Sequence, residues 1–385
     1  MNVLLIPSHF PTRREPQRAT YIRDYARSLA LQHEVTVIYP QQLGAQGAGD
    51  ERFFSEQLIE PRVRLVNYTY RHFPKSWLLS YLNSYRRIFR RIRGEWKIDI
   101  IFAHIAQPAG QAALFLGKLF DLPVVLVEHF GPPRDWIEWS PYPRWLQRKT
   151  LGYTYRQVNY LGTVSRSLAL DINAFFGATV HGQLYNPVDC EMFRPGSLKP
   201  NGGPLRVVCV TRGHIKDLRK GVSNLLSAWE IVARRSAKPV VLEIVGELVE
   251  QIAPAVEAMG LTALCRIHGW LPPDRLARLM QQAALVVIPS AYETFARSGA
   301  EALCCGVPVV ATKCGGPEEY VEEGTGVLVP TGDAEALADA ILIGLERSHF
   351  LSPDELAARA REHFSYEGVC RRFTEVAREI LGGRR

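Results

Sequence analysis

The stretch from Val286 to Val329 constrains the fold more than any other part of the chain. It reads VVIPSAYETFARSGAEALCCGVPVVATKCGGPEEYVEEGTGVLV. A short apolar run ending at Ser290 predicts a buried parallel strand that leads into a loop. The Ala- and Leu-rich run from Phe295 to Cys305 predicts a helix capped by Thr294, and the apolar residues 309–311 predict the next strand. This order of elements indicates an open α/β sheet.

Two carboxylates flank the predicted helix start. Glu293 lies on the loop and Glu301 on the first turns of the helix, at the carboxyl end of a strand, where open α/β sheets bind ligands. The helix start and the Gly315-Gly316 turn offer backbone N–H groups that suit phosphate, whereas carboxylates suit hydroxyl groups. A ligand with both phosphates and many hydroxyls fits, and a nucleotide sugar is such a ligand.

Length and composition predict a two-domain globular protein. The chain has 385 residues, which is more than one ordinary hydrophobic core accommodates. With 47% apolar and 22% charged residues, its composition lies outside the range of disordered proteins. No apolar run approaches the roughly 18 residues that a membrane helix needs. The start, residues 1–7, lacks the features of a signal peptide and predicts a first strand. We therefore expect a cytoplasmic protein.

The cysteines predict free thiols. All seven lie at or after residue 190, and none has C-x-x-C or Cys/His metal spacing. An odd number without a pairing pattern is typical of a reducing compartment, with thiols acting as small core residues. The sequence predicts no metal site.

Positive charge is concentrated in the first half. Residues 1–190 hold 23 Lys and Arg against 15 Asp and Glu, whereas the rest holds 23 against 24. Residues 74–97 combine aromatic side chains at helical spacing with seven cations, six of them between Arg86 and Lys97. Such a helix can lie on an anionic membrane surface through Tyr85–Lys97, or it can pack its apolar stripe on the sheet and leave its arginines solvated. We favour the second interpretation, which is compatible with the first. No nucleic-acid-binding motif is present.

The motif ETFARSGAE, followed by EALCCGVPVVATKCGGPEE, resembles the donor-site signature of the GT-B retaining glycosyltransferases of family 4. The resemblance implies an α/β GT-B fold with two Rossmann-like domains facing across a cleft and a C-terminal helix that crosses back to the first domain. The implied domains are residues 1–188 for the acceptor, a linker at 189–204, residues 205–362 for the nucleotide sugar, and the returning helix at 363–385. A Pro- and Gly-rich stretch supports the linker independently.

The resemblance also implies roles for individual residues. Glu293 would hold the sugar hydroxyls and Glu301 the ribose hydroxyls. Arg212 and Lys220, in the family's R…KG pattern, would hold the diphosphate. The loop would bind the donor through Thr294, Phe295 and Ala296, and Gly269 would approach the base.

In the first domain, IIFAHIAQPAGQAA and PVVLVEHFG resemble the family's histidine-containing strand ends. They imply that His104 lies on the acceptor side and that His129 contacts the reacting face of the donor sugar.

Three positions depart from the family pattern where glycine is usual: Ala19 in the first loop, Ala296 before the donor-site helix, and Glu247 after a second-domain strand. The first loop is instead rich in arginine, including Arg18, which suits an anionic acceptor such as a lipid pyrophosphate.

The implied function is retaining transfer of a hexose-type sugar from a UDP- or GDP-linked donor to a saccharide acceptor. We expect a lipid-linked acceptor at the inner face of the plasma membrane, in polysaccharide or glycolipid assembly. No Asp-x-Asp triplet is present, so we expect no metal and no other cofactor. Two alternatives stay open: a GT-B nucleotide-sugar epimerase, and a non-catalytic GT-B scaffold that binds a glycan or a partner. The donor sugar, the acceptor and the oligomeric state are not determined by the sequence.

Overall fold

The computed structural model describes residues 1–11, 19–42, 54–70, 76–131, 143–196, 203–212, 217–346 and 348–383. The chain divides into two compact units. Unit 1 comprises Met1–Pro187 together with Tyr366–Arg385, and unit 2 comprises Val188–Ser365. Both are parallel-sheet α/β structures, as the sequence predicted.

Unit 1 is built on an eight-stranded sheet. Its strands are β1 (Asn2–Pro7), β2 (Glu34–Gln42), β3 (Phe54–Glu60), β4 (Val63–Tyr70), β5 (Ile100–His104), β6 (Val124–Glu128), β7 (Tyr160–Thr163) and β8 (Gly182–Gln183). The spatial order is β3-β4-β2-β1-β5-β6-β7-β8, and every neighbouring pair is parallel except β3 with β4. The residues of β5 and β6 are all buried, because helices cover both faces of such a sheet.

The connecting helices of unit 1 are α1 (Thr20–Ala30), α2 (Trp77–Ile92), α3 (Gln111–Phe120), α4 (Arg144–Gln157) and α5 (Arg166–Phe176). Helix α2 buries Tyr81, Tyr85 and Phe89, whereas Arg87 and Arg90 are exposed. The favoured interpretation of residues 74–97, an apolar stripe packed inward, therefore agrees with the described part of this segment.

Unit 2 has the strand order of a Rossmann fold. Its strands are β9 (Leu205–Val210), β10 (Val240–Val245), β11 (Cys265–His268), β12 (Leu285–Ile288), β13 (Val309–Thr312) and β14 (Gly326–Val329). All neighbouring strands are parallel in the order β11-β10-β9-β12-β13-β14. The order reverses between β9 and β12, and such a switch point is where open α/β sheets bind ligands.

The helices of unit 2 are α6 (Val222–Arg235), α7 (Ala253–Ala258), α8 (Pro273–Gln281), α9 (Arg297–Cys304), α10 (Ala334–Glu346) and α11 (Pro353–Phe364). Trp229 of α6 is fully buried in a core that also includes Leu242 and Ile341. Burying side chains of this size stabilises the unit by about 2 kcal/mol each, which fixes the helix layer against the sheet.

The last helix, α12 (Tyr366–Gly382), belongs to unit 1. The Tyr366 hydroxyl donates to Asp24 at 3.0 Å, and Ser28 on α1 donates to the Tyr366 carbonyl at 2.6 Å. The ring of His33 and the hydroxyl of Thr374 are hydrogen-bonded at 2.8 Å. The predicted return of the C-terminal helix to the first domain is therefore confirmed.

Several local predictions were wrong or incomplete. Thr294 does not cap a helix: α9 begins at Arg297, and the residue at its N-cap is Ala296, with φ 56°. The apolar run at Leu161 predicts the last strand of the first domain, but the short β8 follows β7 in the sheet. Elements that were not predicted include the strand β3, which pairs antiparallel at the edge, the strand β14, and the helices α4, α5 and α7.

Two alanines occupy the left-handed region of backbone space, at φ 51° for Ala19 and φ 56° for Ala296. Each is the N-cap residue of a helix, α1 and α9 respectively. Side chains other than glycine pay about 1–2 kcal/mol in this conformation. These are two of the three positions at which glycine was the expected residue, so the backbone keeps a glycine-like conformation without the glycine.

We predict that Ala296→Gly changes the free energy of unfolding by less than about 1 kcal/mol, because relief of the left-handed strain offsets the greater entropy of unfolded glycine. Ala302→Gly, in the buried interior of α9, should lower it by about 2 kcal/mol through lost helix propensity and a lost methyl group. Urea unfolding of both variants measures the difference. Equal losses would show that Ala296 carries no strain.

Candidate functional site

Two loops meet beyond the switch point of the unit 2 sheet, and a glycine lets them touch. Gly221, with φ 61°, lies so close to β12 that an added Cβ would be 1.9 Å from the Pro289 carbonyl oxygen. The Ala291 amide donates to the Arg219 carbonyl at 2.7 Å. Backbone contacts alone therefore hold the loop after β9 against the loop after β12.

An ion pair joins these loops. Lys220 Nζ lies 2.7 Å from Glu293 Oε1, and the Ser290 hydroxyl donates to the same oxygen at 2.8 Å. The side chains of Lys220 and Glu293 are 28% and 18% exposed. The backbone of Glu293 is fixed as well, because its amide donates to the Cys314 carbonyl at 2.8 Å. The carboxylate is thus held at a defined point at the edge of the sheet.

The second predicted cation, Arg212, is also paired. Its Nε lies 2.9 Å from Glu247 Oε2, and the two side chains are 76% and 43% exposed. The neighbouring Thr211 is buried, and its hydroxyl has no hydrogen-bond partner within the described part of the chain. An unpartnered hydroxyl beside a cation is a place where an anionic ligand can be bound.

Tyr320 fixes the loop before α9 through hydrogen bonds to its backbone. The Tyr320 hydroxyl donates to the carbonyls of Phe295 at 3.1 Å and Ala296 at 2.7 Å. Phe295 is 2% exposed and packs edge-on against Tyr320 and Phe364. Gly316 approaches Phe295 so closely that an added Cβ would lie 2.5 Å from its backbone. Phe295 therefore contributes backbone, and not its ring, to this loop.

Glu301 is nearly buried on α9 and lies 2.9 Å from the Nε of Arg297 one turn earlier. Gly269, which follows β11, accepts a hydrogen bond from the Gly246 amide at 3.3 Å. The predicted donor-site residues thus share the carboxyl edge of one sheet. The sequence did not predict Tyr320 or Thr211 as contributors, and neither stands out by pattern. Glu247 was noted only as a departure from glycine, and not as the partner of Arg212.

In unit 1, His104 and His129 form a buried pair. His104 Nδ1 and His129 Nε2 are 2.9 Å apart, so one ring donates to the other. Tyr25 packs on both rings, with centroids 4.5 Å from His104 and 5.7 Å from His129, and Tyr21 lies 4.9 Å from His129. Both histidines lie at the carboxyl ends of adjacent strands, as predicted.

A buried carboxylate beside the histidines was not predicted. Glu128 is fully buried and accepts hydrogen bonds from the amides of Ala106, His129 and Phe130 and from the Tyr155 hydroxyl, at 2.8–3.2 Å. Burial raises the pKa of Glu128, and the four donors act in the opposite direction. The only sequence signal was an acidic residue that ends the apolar run VVLVE.

Both histidines are neutral at ordinary pH. Burial lowers the pKa of His129 to about 3, and a contact with the Asn186 side chain only partly offsets it. Burial, followed by the nearby His129, also holds the pKa of His104 well below its ordinary value. The pair can therefore donate and accept hydrogen bonds but carries no charge.

The remaining predicted residues are placed as follows. Ala19 precedes α1, whose Tyr21 contacts His129. Arg18 lies outside the described residues. Within the described ranges, no group of three His, Cys, Asp or Glu side chains is arranged to hold a metal ion. No described helix is both long and apolar enough to cross a bilayer.

Two protein families match the chain. The family described as Glycosyltransferase Family 4 matches residues 19–192, and that described as Glycosyl transferases group 1 matches residues 197–363. This chain is a GT-B glycosyltransferase of the group 1, family 4 type. It is similar to the glycogen synthase of Mycobacterium tuberculosis (strain ATCC 25618 / H37Rv), with 27% identity over 306 residues, which cover 75% of this chain and 70% of the relative.

Solved structures share the fold of this glycosyltransferase. Sucrose-phosphate synthase from Thermosynechococcus elongatus superposes with a TM-score of 0.74 at 19% identity, covering 99% of each chain. Anabaena HepE in complex with UDP-glucose superposes with a TM-score of 0.69 at 19% identity, covering 98% of this chain and 99% of the other. The GT-B fold class is confirmed.

The buried histidines predict a loss of stability in acid. Unfolded His129 binds a proton below a pKa near 6.5, whereas the folded side chain binds one only below about 3. The free energy of unfolding therefore rises with pH between these values, by up to about 1.4 kcal/mol per pH unit for this group, and is lost as the pH falls. His129→Gln should flatten this dependence.

Amide hydrogen exchange of β5 and β6 between pH 4 and 6.5, corrected for intrinsic exchange rates, measures the effect. The raised pKa of Glu128 acts with the opposite sign, since its contribution falls as pH rises, but Glu128 is present in both proteins and largely cancels. An unchanged pH slope in the variant would contradict a neutral buried His129.

Proposed function

We propose that this glycosyltransferase transfers a sugar, with retention at the anomeric carbon, from a nucleotide-sugar donor bound at the carboxyl edge of the unit 2 sheet. The observation that carries the proposal is the Lys220–Glu293 pair at the switch point, with Ser290 on the same carboxylate. It joins a cation suited to phosphate to a carboxylate suited to sugar hydroxyls. The complex of HepE with UDP-glucose supports the choice of a nucleotide sugar.

The diphosphate would be held by Arg212 and Lys220, helped by backbone N–H groups around Phe295 and Ala296. A departing nucleoside diphosphate gains negative charge in the transition state, and fixed cations and N–H groups stabilise that charge. The buried Thr211 hydroxyl, which lacks a partner within the described residues, adds one more donor at this edge. We propose that these groups act without a metal ion, so that no cofactor is needed.

Carboxylates would recognise the two sugars of the donor. Glu301 would accept hydrogen bonds from the ribose hydroxyls, and Glu293 from the hydroxyls of the transferred sugar. We propose a front-face substitution. The acceptor oxygen bonds to the anomeric carbon on the face from which the diphosphate leaves, the bond from that carbon to the phosphate oxygen breaks, and the leaving phosphate takes the proton of the acceptor hydroxyl. We propose that the donor is a UDP- or GDP-linked hexose and that its base lies near Gly269.

The role of His129 at the reacting face stays a prediction. Its Nε2 is engaged by His104, and its ring is only 6% exposed. His129 would act as a neutral hydrogen-bonding group and not as an acid or base, because burial lowers its pKa to about 3.

The acceptor is proposed to be a lipid-linked saccharide at an anionic membrane. A basic–aromatic surface on unit 1 supports this, formed by residues Arg90, Arg93, Lys118, Trp145, Lys149 and Tyr153. Arg93, which follows α2, lies 4.9 Å from the Phe120 ring, and Lys118 Nζ donates to the Tyr153 hydroxyl at 2.6 Å. The end of α2 therefore adjoins α3, and α3 adjoins α4. Trp145 is 61% exposed. Cations with exposed Trp and Tyr suit a lipid headgroup layer.

Glu293→Gln should lower kcat for sugar transfer by more than about a hundredfold, because the carboxylate that orients the sugar loses its charge. Arg212→Ala and Lys220→Ala should each raise the donor KM by about tenfold or more, because a charge-assisted hydrogen bond to phosphate is lost. Glu322→Gln, at an exposed unit 2 ion pair with Arg359, is the matched control and should leave both constants unchanged. Transfer kinetics with and without acceptor provide the measurement.

If Glu293→Gln transfers sugar at the wild-type rate, the assigned site is wrong. Product formed from the donor without any acceptor would instead favour an epimerase.

Binding to phosphatidylglycerol vesicles should weaken about tenfold or more in the double variant Arg90→Glu, Lys149→Glu, since each cation near an anionic surface contributes about 1 kcal/mol. Trp145→Ala should weaken it as well. Leu170→Ala, at a side chain of α5 that is 71% exposed, is the control. Cosedimentation with anionic and with neutral vesicles measures the effect, and equal binding of all variants would exclude this surface as the membrane contact.

A further inference from the structure

Both cations proposed to hold the donor diphosphate are neutralised by carboxylates of the protein itself. Lys220 is paired with Glu293, whose role as a sugar contact is already part of the proposed function. Arg212 is paired with Glu247, which has no role in that function. Glu247 is also one of the three residues that occupy a position where glycine was expected. A carboxylate at this point is unfavourable for a site that binds two phosphates, because like charges repel at short range.

The sheet forces Glu247 to lie beside Arg212. Val210 at the end of β9 is paired with Val245 at the end of β10. Beyond them, Gly246 has φ 141°, and an added Cβ would lie 1.8 Å from the Thr211 carbonyl oxygen. Arg212 comes two residues after the end of β9, and Glu247 comes two residues after the end of β10. The two residues therefore lie side by side at the edge of the sheet. This juxtaposition follows from backbone geometry and not from a chance meeting of long side chains.

We propose that Glu247 is a positioning residue that holds Arg212 in the unliganded protein and releases it to the diphosphate when a nucleotide binds. Glu247 thereby lowers the affinity for the donor and for the nucleoside diphosphate product, and it recaptures Arg212 as the product leaves. The inference rests on the proposed role of Arg212 in diphosphate binding.

The difference between the two ion pairs supports an exchange at Arg212. The Arg212–Glu247 side chains are 76% and 43% exposed, against 28% and 18% for Lys220–Glu293. Exposed pairs are weak because water screens both charges, so a diphosphate with several oxygens can displace one carboxylate. The guanidinium suits this exchange, since its planar fork binds carboxylate and phosphate with the same geometry. The less exposed pair, Lys220–Glu293, keeps its two charges in fixed positions in the site.

Calorimetric titration of the whole chain with UDP, GDP and ADP tests the proposal. For the nucleotide that binds the wild-type protein, Glu247→Gln should tighten Kd by about two- to fivefold, which corresponds to removal of an exposed ion pair, and more so at low salt. Glu247→Asp, which keeps the charge, should stay near the wild-type value. Glu230→Gln is the matched control, because Glu230 pairs with Arg234 on α6 at similar exposures of 44% and 66%.

Two further readouts separate positioning from a structural role. In an Arg212→Ala background, Glu247→Gln should tighten binding less than it does in the wild-type protein, because part of its effect acts through Arg212. In steady-state transfer, the donor KM and the product inhibition constant should both fall in Glu247→Gln while kcat does not increase.

Unchanged or weaker nucleotide binding in Glu247→Gln would overturn the proposal, since Glu247 would then be inert or a direct donor ligand. Failure of the wild-type protein to bind any of the three nucleotides is a different result. It would overturn the proposed function, and the inference with it.

Discussion

The Lys220–Glu293 ion pair is the interaction around which the rest of unit 2 is arranged. It can form only because the strand order places β9 next to β12 and because Gly221 lets the two following loops touch. Ser290 and the backbone of Cys314 then fix the carboxylate. A half-buried ion pair contributes little net stability, since desolvation offsets the Coulomb attraction. Its position at a switch point is therefore better explained by ligand binding than by folding.

The histidine cluster of unit 1 and the candidate site of unit 2 differ in how their charged groups are held. In unit 1, Glu128 is fully buried and satisfied by four donors, and the neighbouring histidines are kept neutral by burial. The histidine pair therefore presents hydrogen-bonding groups, but no charge, to a ligand. In the candidate site of unit 2, the pairs Lys220–Glu293 and Arg212–Glu247 are partly exposed, so a charged ligand can replace one partner. The contrast agrees with a nucleotide binding to unit 2 through its phosphates.

Much of the fold could be predicted because parallel strands buried on both faces appear as continuous apolar runs. Strand β1 lies within the predicted residues 1–7, and β13 extends one residue beyond the predicted 309–311. The edge strand β3 was missed because its pattern FSEQLIE is polar and half-exposed. Helix α4 was missed because its surface combines aromatic and basic residues without a clear apolar stripe.

The candidate site was predictable in its residue types but not in its pairings. The motif indicated Glu293, Glu301, Arg212 and Lys220 as separate contributors. That each cation already has a carboxylate partner depends on strand register and on the glycine at 246, which no local pattern shows. The left-handed conformation of Ala296 was indicated only by the family's usual glycine at this position, because alanine itself normally indicates helix and not a strained cap.

Amide hydrogen exchange with and without a nucleoside diphosphate, in the presence of EDTA, tests the central claim most directly. If the unit 2 loops form the donor site, UDP, GDP or ADP should slow exchange in the segments 218–223, 289–297 and 315–320. Protection there without a metal would support a site built from cations and backbone amides. Protection confined to unit 1, or none with any of the three nucleotides, would contradict the account.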